Sequence, residues 1–426
     1  MIRRNKHHKP IFTNVILFTI IFYSLQIFTF KANAQDTIKD IIPEKFKFLK
    51  YEYNVIINDS VLFPFFESLY QIKSTSNVVS VLHIGDSHIQ ADYLSGFVRM
   101  SLQRKFGNAG RGLIFPYKVA KTNEPYNYKT SSSSLSWESH RCSINKGTLP
   151  IGISGITLKT FDSTSSIYIK TYNYPQLSYA FNKINVFYKP DILSFQHIVQ
   201  DTAKTYSIEL KSNTDSTISE ASLPYYTNEV IIQNVKPDTI SKRFTEIYGI
   251  ILQNDSSGVI YHTVGVNGAQ YSDYYKAELF ATQSKQLNPA CIIISLGTNE
   301  AQSLKRTAEE MYNEIDSLIT TLKANNPKTV FILTTPPASY RRRKSLNYKL
   351  EMVSNTIIKY AQDNKLAVWD LYNVSGTYKM VYSWRKRLLI RRDGLHFTRE
   401  AYEYQGKLLY NAIINSYNKY VRNRHP

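Results

Sequence analysis

Two cysteines in 426 residues exclude a disulfide-built fold, and neither sits in a spacing that binds a metal through thiolates. Cys291 opens the apolar run Cys291–Ser295 and reads as a small buried hydrophobe. Nothing places Cys142 beside it, so two free thiols are expected. Acidic residues are scarce as well: 33 Asp and Glu face 52 Lys and Arg, a formal net charge of +19. Such a surplus favours contact with a polyanion or an anionic surface. Internal repeats and long disordered tracts are missing too. What is present is 43% hydrophobic residues, including 33 Tyr and 21 Phe, in a globular chain long enough for two domains.

The N-terminus is set apart. Arg3, Arg4, Lys6 and Lys9 precede an apolar run from Ile11 to Phe30, which Ala32-Asn-Ala34 closes. A basic stretch, an apolar stretch and a small-residue site in that order are an export signal. The length of the run also fits an uncleaved membrane anchor. Thr13, Asn14, Ser24 and Gln26 dilute it, which favours cleavage after Ala34 and a mature chain in the periplasm or cell envelope. Residues 1–34 hold five Lys or Arg and no acid, and removing those five from +19 leaves +14. For an exported chain the matching polyanion is a cell-wall or surface polysaccharide. Nucleic acid rests on charge alone and is not expected.

Further on, Val78-Val-Ser-Val-Leu-His-Ile-Gly-Asp-Ser-His-Ile-Gln-Ala-Asp92 is an apolar run that stops at Gly85. A tight turn carrying Ser87 follows, then a helix expected from about Ile89 to Phe106. Gly107-Asn-Ala-Gly-Arg-Gly112 breaks it; coming after a helix rather than opening one, it is no phosphate loop. From 113 to 254 the texture changes to short alternating runs such as Ser166–Lys170, Lys183–Lys189, Glu229–Gln233 and Thr245–Gln253, the pattern of an all-β sandwich or jelly roll. Strand-then-helix rhythm returns at Val259, with further strands at Ala290–Leu296, Thr329–Thr334 and Leu366–Asp370. The chain therefore reads as an α/β domain in two parts, 35–112 and 255–426, interrupted by a β-rich insert at 113–254.

Four short segments fall at strand ends or loops of the α/β parts: Gly85-Asp-Ser87, Gly268, Gly297-Thr-Asn-Glu300 and Asp393-Gly-Leu-His396. A nucleophilic serine needs a base within reach and a carboxylate that holds the base in one tautomer. Asp393, three residues before His396, can fold onto one ring nitrogen and leave the other for Ser87. Asn299 can present an amide donor, and Gly268 lets a backbone N–H approach closely. Thr398 is a candidate cap for the closing helix. His83 and His262 read as core residues, Asp86 as a turn brace and His88 as a helix-entry residue. Tyr168, Tyr172, Tyr174 and Tyr179 could stack on sugars, but β-sandwiches use tyrosine anyway, and they are not assigned. Arg341–Lys344 reads as a solvated face; Arg385–Arg387 and Arg391–Arg392 run into the His396 loop and are candidates to face substrate.

In this order the four segments resemble the blocks of the SGNH (GDSL-like) hydrolase family. The resemblance implies a flavodoxin-like three-layer α/β/α sandwich and a serine esterase with no metal and no cofactor. It implies Ser87 as nucleophile, His396 as base, Asp393 as its partner, and an oxyanion hole of the Ser87 N–H, the Gly268 N–H and the Asn299 side chain. Glu300 departs from the Asn-Asp usual in the third block. Gly85-Asp-Ser-His88, Gly107-Asn-Ala-Gly110 and the position of the insert are similar to periplasmic peptidoglycan O-acetylesterases, which carry a carbohydrate-binding-like β-module at the same place. The expectation is an exported esterase that removes O-acetyl groups from cell-wall polysaccharide, peptidoglycan before others. Its membrane contact would be limited to an uncleaved signal anchor, and its oligomeric state is not legible. The rivals are an O-acetyltransferase with the same triad, an acetylxylan or capsular-glycan esterase, and a non-catalytic glycan-binding protein.

Overall fold

A computed structural model describes residues 42–212, 217–239 and 242–424. The export signal expected at residues 1–34 lies outside them. Residues 42–47 belong to a short unit of their own, with one 3-10 turn at Glu44–Phe46.

From Phe48 onward the scaffold is a six-stranded sheet. Its strands are β1 (Ile56–Ile57), β2 (Val78–Gly85), β3 (Gly258–Gly265), β4 (Cys291–Ser295), β5 (Val330–Thr334) and β6 (Ala367–Trp369). Their spatial order is β1-β6-β5-β4-β2-β3, and every pairing except the β1 edge is parallel. Strands covered on both faces need continuous apolar runs, which is what β2 and β4 have. The main helices are α1 (Phe63–Thr75), α2 (Leu94–Phe106), α3 (Ala308–Asn325), α4 (Lys349–Asp363) and α5 (Arg399–Arg424). They pack in two groups, α5 with α1 and α2, and α3 with α4. Thr307 starts α3 with a capping box closed by Glu310. This is the flavodoxin-like α/β/α arrangement. Its order reverses between β2 and β4, and the crevice at their carboxyl ends is where such sheets bind ligands.

Between α2 and β3 the chain forms two antiparallel sheets. One runs Lys211–Ser212, Ile218–Thr227, Phe181–Tyr188, Thr245–Gln253, Ile156–Thr160, Glu138–Arg141, with Gly112–Ile114 also paired to Thr245–Gln253. The other runs Ser207–Glu209, Gln196–Gln200, Glu229–Val235, Ser166–Thr171, Tyr128–Ser132. In Ser166–Thr171 and Glu229–Val235 alternate residues such as Ile167, Ile169, Val230 and Ile232 are buried, so these strands present one face inward.

Three local features are set by pairing or backbone geometry that no sequence pattern shows. The lead-in before β2 holds β1 and α1, because β1 pairs with β6 some 310 residues later, a partner no local pattern reveals. The helix expected from Ile89 is broken at Asp92, whose φ of 56° leaves the helical region. Helix α4 begins only at Lys349, since Ser345–Leu346 pairs with Tyr340–Arg341.

Asp92 breaks the helix in order to hold something. It is buried, and its oxygens accept from Arg99 at 2.8 and 3.1 Å, from Arg111 at 2.7 Å and from Ser95 at 2.6 Å, with Asn127 of the insert as a further donor. Burial alone would raise its carboxyl; the two guanidinium groups outweigh that and hold it well below the usual carboxylate range. Removing one partner of such a cluster leaves buried charge without compensation. Asp92→Ala is expected to destabilise the fold by about 3–5 kcal/mol in urea unfolding.

Four of the described histidines are buried, and burial lowers their pKa: His83, His88 and His262 to about 3, His197 to about 4. His83 has a hydroxyl at 2.8 Å from each ring nitrogen, from Tyr261 and Ser295, and His262 Nδ1 accepts the Leu113 N–H at 3.1 Å. Such groups are neutral when folded but charge on unfolding below pH 6.5, so the stability they confer at neutral pH is lost as pH falls. Between pH 6.5 and 4, His197→Gln is expected to flatten the wild-type decline by one proton, about 1.4 kcal/mol per pH unit, in denaturant unfolding.

Candidate active site

The turn after β2 is shaped by what cannot fit there. A Cβ on Gly85 would lie 2.3 Å from the Ile89 side chain and 2.9 Å from the Ser295 carbonyl oxygen, so only glycine allows this approach. Asp86 then caps the single helical turn Ser87–Gln90 by accepting the His88 N–H at 2.9 Å. Ser87 is left at the first helical position with its N–H uncommitted among the described residues.

Ser87 Oγ lies 2.9 Å from His396 Nε2, and His396 Nδ1 lies 2.9 Å from Asp393 Oδ2. The other Asp393 oxygen accepts the backbone N–H groups of Leu395 and His396 at 2.8 and 2.9 Å. Burial pushes the Asp393 carboxyl up, but these bonds and the adjacent ring win and hold it below its usual range. An ionised Asp393 requires the proton on Nδ1, which leaves Nε2 to accept from the Ser87 hydroxyl. All three side chains are half-buried, open enough for a substrate to reach. Thr398 Oγ1 accepts the Ala401 N–H at 3.4 Å at the start of α5.

Gly268 sits in the turn after β3, closed by the Ala269 N–H on the Val266 carbonyl at 3.0 Å. Space does not require glycine, since a Cβ would meet only Ser143 at 3.9 Å; its φ of +83° does. Its N–H has no partner among the described residues. Gln90, three residues after Ser87, ties this turn to the serine's helix by accepting the Asn267 N–H at 2.7 Å. Nothing in the sequence singled Gln90 out. Asn299 Nδ2 donates to the Ala269 carbonyl at 2.9 Å and to Asp86 Oδ2 at 3.2 Å, so both its hydrogens are engaged in this state. Glu300 accepts the Tyr271 N–H at 2.9 Å, which gives the residue that departs from the family pattern a place in the fold. Burial pushes Asp86 up to about 8, against the His88 amide, and Glu300 up to about 7, against the Tyr271 amide.

His88 does more than enter the helix. Its ring lies 5.5 Å from that of His396, its Nδ1 is 2.8 Å from the Tyr402 hydroxyl, and burial keeps it neutral. Tyr402, six residues beyond His396 on α5, was also unmarked in the sequence. The insert tyrosines divide. Tyr179 is buried against Arg99, Tyr168 donates to Glu229 at 2.7 Å, and Tyr174 is paired with Tyr126. Cys142 and Cys291 are free thiols. Among the described residues no three His, Cys, Asp or Glu side chains are grouped to hold a metal, and no helix is long and apolar enough to cross a membrane.

Residues 237–404 match the model of the GDSL-like Lipase/Acylhydrolase family. That stretch includes Gly268, Asn299, Asp393 and His396, whereas Ser87 lies before the insert and outside it. No curated protein matches the chain. Among solved structures, a peptidoglycan O-acetylesterase superposes with a TM-score of 0.70 at 18% identity, covering 84% of this chain and 96% of that one. A lipase/acylhydrolase from Enterococcus faecalis matches at 22% identity over 37% of this chain and 77% of that one, TM-score 0.30. A family two carbohydrate esterase from Cellvibrio japonicus matches at 10% identity over 69% of this chain and 99% of that one, TM-score 0.29. Residues 237–404 are thus similar to the GDSL-like Lipase/Acylhydrolase family, and the chain has the fold of a peptidoglycan O-acetylesterase.

Proposed function

We propose that the chain is an exported serine esterase that removes O-acetyl groups from a cell-wall polysaccharide, with peptidoglycan as the polymer. The observation that carries this reading is the extent of the likeness to the peptidoglycan O-acetylesterase. Its 84% coverage exceeds the roughly two thirds of the chain that lies outside residues 113–254, so it reaches into the insert. The basic composition and the export signal read at residues 1–34 agree with an anionic wall polymer outside the cytoplasm. The insert, in this reading, is carbohydrate-binding and holds glycan near the site.

In the proposed mechanism His396 Nε2 takes the proton of Ser87 as Oγ attacks the acetyl carbonyl. The 2.9 Å contacts along the line need no rearrangement for that step. The oxyanion meets the uncommitted Ser87 and Gly268 N–H groups. Asn299 joins them by exchanging its longer bond, that to Asp86, for the oxyanion. The sugar oxygen departs with the proton from His396. Water then enters by the same route, and acetate and free Ser87 are restored.

A chromogenic acetate ester tests the roles. Ser87→Ala is expected to cut kcat by at least about 10³-fold, and Asn299→Ala by about 10²-fold. Wild-type turnover in Ser87→Ala overturns the nucleophile assignment. The polymer is tested separately by acetate release: release from O-acetylated xylan with none from O-acetylated peptidoglycan overturns peptidoglycan and leaves the triad standing. Acetyl groups appearing on an added sugar, without acetate, would mean transfer rather than hydrolysis.

A further inference from the structure

The Arg341–Lys344 cluster, a solvated face by sequence, stands on the hairpin that pairs Tyr340–Arg341 with Ser345–Leu346. That hairpin is docked on the loop carrying Asp393 and His396. The Tyr340 N–H donates to the Gly394 carbonyl at 2.8 Å, and a Cβ on Gly394 would strike Tyr340 at 2.9 Å. The Arg385 guanidinium lies 4.5 Å over the Tyr340 ring, joining the second basic cluster to the first.

The tip of the hairpin is costly in conformation. Lys344 N–H bonds the Arg341 carbonyl at 3.2 Å, and both residues between have positive φ, 47° at Arg342 and 68° at Arg343. That is a type I′ turn, which Asn-Gly fills without strain and two arginines do not. Local stability therefore does not account for arginine at either position. Arg342, Arg343, Lys344, Arg385, Arg391 and Arg392 are all exposed. No Asp or Glu occurs at 317–350 or at 371–392, and none of the six is in an ion pair with a described residue. Unpaired like charges repel one another, and a polyanion laid across them removes that repulsion.

We infer that the Arg342–Lys344 tip and Arg391–Arg392 form a cationic rim beside the triad that binds carboxylates of the acetylated polysaccharide. The inference rests on the esterase reading and adds the substrate class: a polymer bearing carboxylates, in preference to the same polymer without them. Arginine predominates in the rim, and its planar fork matches a carboxylate with two parallel hydrogen bonds.

The test compares kcat/KM on O-acetylated peptidoglycan, whose stem peptides carry carboxylates, with that on the same polymer after carbodiimide amidation. Each value is divided by kcat/KM on a small neutral acetate ester, which reports the triad alone. For the native polymer this ratio is expected to fall about tenfold between about 20 and about 300 mM NaCl, and about fivefold on amidation. The double variant R342N/R343G should lower it about fivefold and lose most of the salt dependence. Because Asn-Gly suits the turn, the variant's melting temperature should equal or exceed that of wild type, which separates lost binding from misfolding. A ratio equal to wild type in the variant, or an equal loss on native and amidated polymer, overturns the rim. Absent turnover of the small ester by wild type overturns instead the esterase reading beneath it.

Discussion

One buried carboxylate fixes how the two halves of this molecule share a frame. Asp92 closes the turn that began with Ser87, and it takes guanidinium groups from α2 and from the entry to the insert, plus an amide from within the insert. Arg99 passes the link on through its Nε to the hydroxyl of Tyr179, which also donates to Gln103 at 2.9 Å. A charge here would be prohibitive if unpaired. With two cations and further donors from Ser95, Asn127 and Thr263, it becomes a joint that only one arrangement of α2, the Gly-rich loop and the insert satisfies. The segment that carries the serine is therefore held from both sides before any contact with the histidine is made.

The first three sequence blocks position one another in the same way. Asp86 of the first accepts from Asn299 of the third, Asn299 donates to the residue after Gly268 of the second, and Glu300 receives the amide two residues further on. Gln90 closes the circuit from the serine's helix to the Gly268 turn. The charge state of Asp86 matters to what this circuit can do. Burial pushes its carboxyl up, against the His88 amide, and a proton on Asp86 would relieve its opposition to a negative charge growing next to Asn299. The departure at Glu300 has a similar reason, since its longer side chain reaches the Tyr271 amide at the start of a helix.

Much of this was legible because its signals are local. Buried parallel strands announce themselves as apolar runs with glycine or proline at the end, and Asp393 to His396 is a spacing visible by eye. The unread parts are those in which the partner is distant. β1 is two residues whose strand character comes entirely from β6, and Gln90, Tyr402 and Asp92 act through residues roughly 35 to 310 positions away. No periodicity encodes such a pairing. Arg342, Arg343 and Lys344 are exposed, as a run of cations reads in the sequence; what the sequence does not show is the backbone bond from Tyr340 to Gly394 that sets them beside the histidine loop.

The exposure of the site bears on where selectivity can come from. Ser87, Asp393 and His396 are only half-buried, and Gly268 is exposed, so little encloses an acetyl group beyond the hydrogen-bond donors themselves. The acetyl ester proposed as substrate is also too small to distinguish one polymer from another, since a few atoms in an open site yield little binding energy. Discrimination must then fall to surfaces that touch the rest of the chain bearing the ester. Two such surfaces are attached to the site by direct bonds. On the side of the Gly268 turn, Ser143 of the insert donates to the Asn267 carbonyl at 2.8 Å. On the side of the histidine, the arginine hairpin holds Gly394. A polymer crossing the serine would meet the insert at one end and cations at the other, and the acetyl group would be chosen by the backbone that carries it.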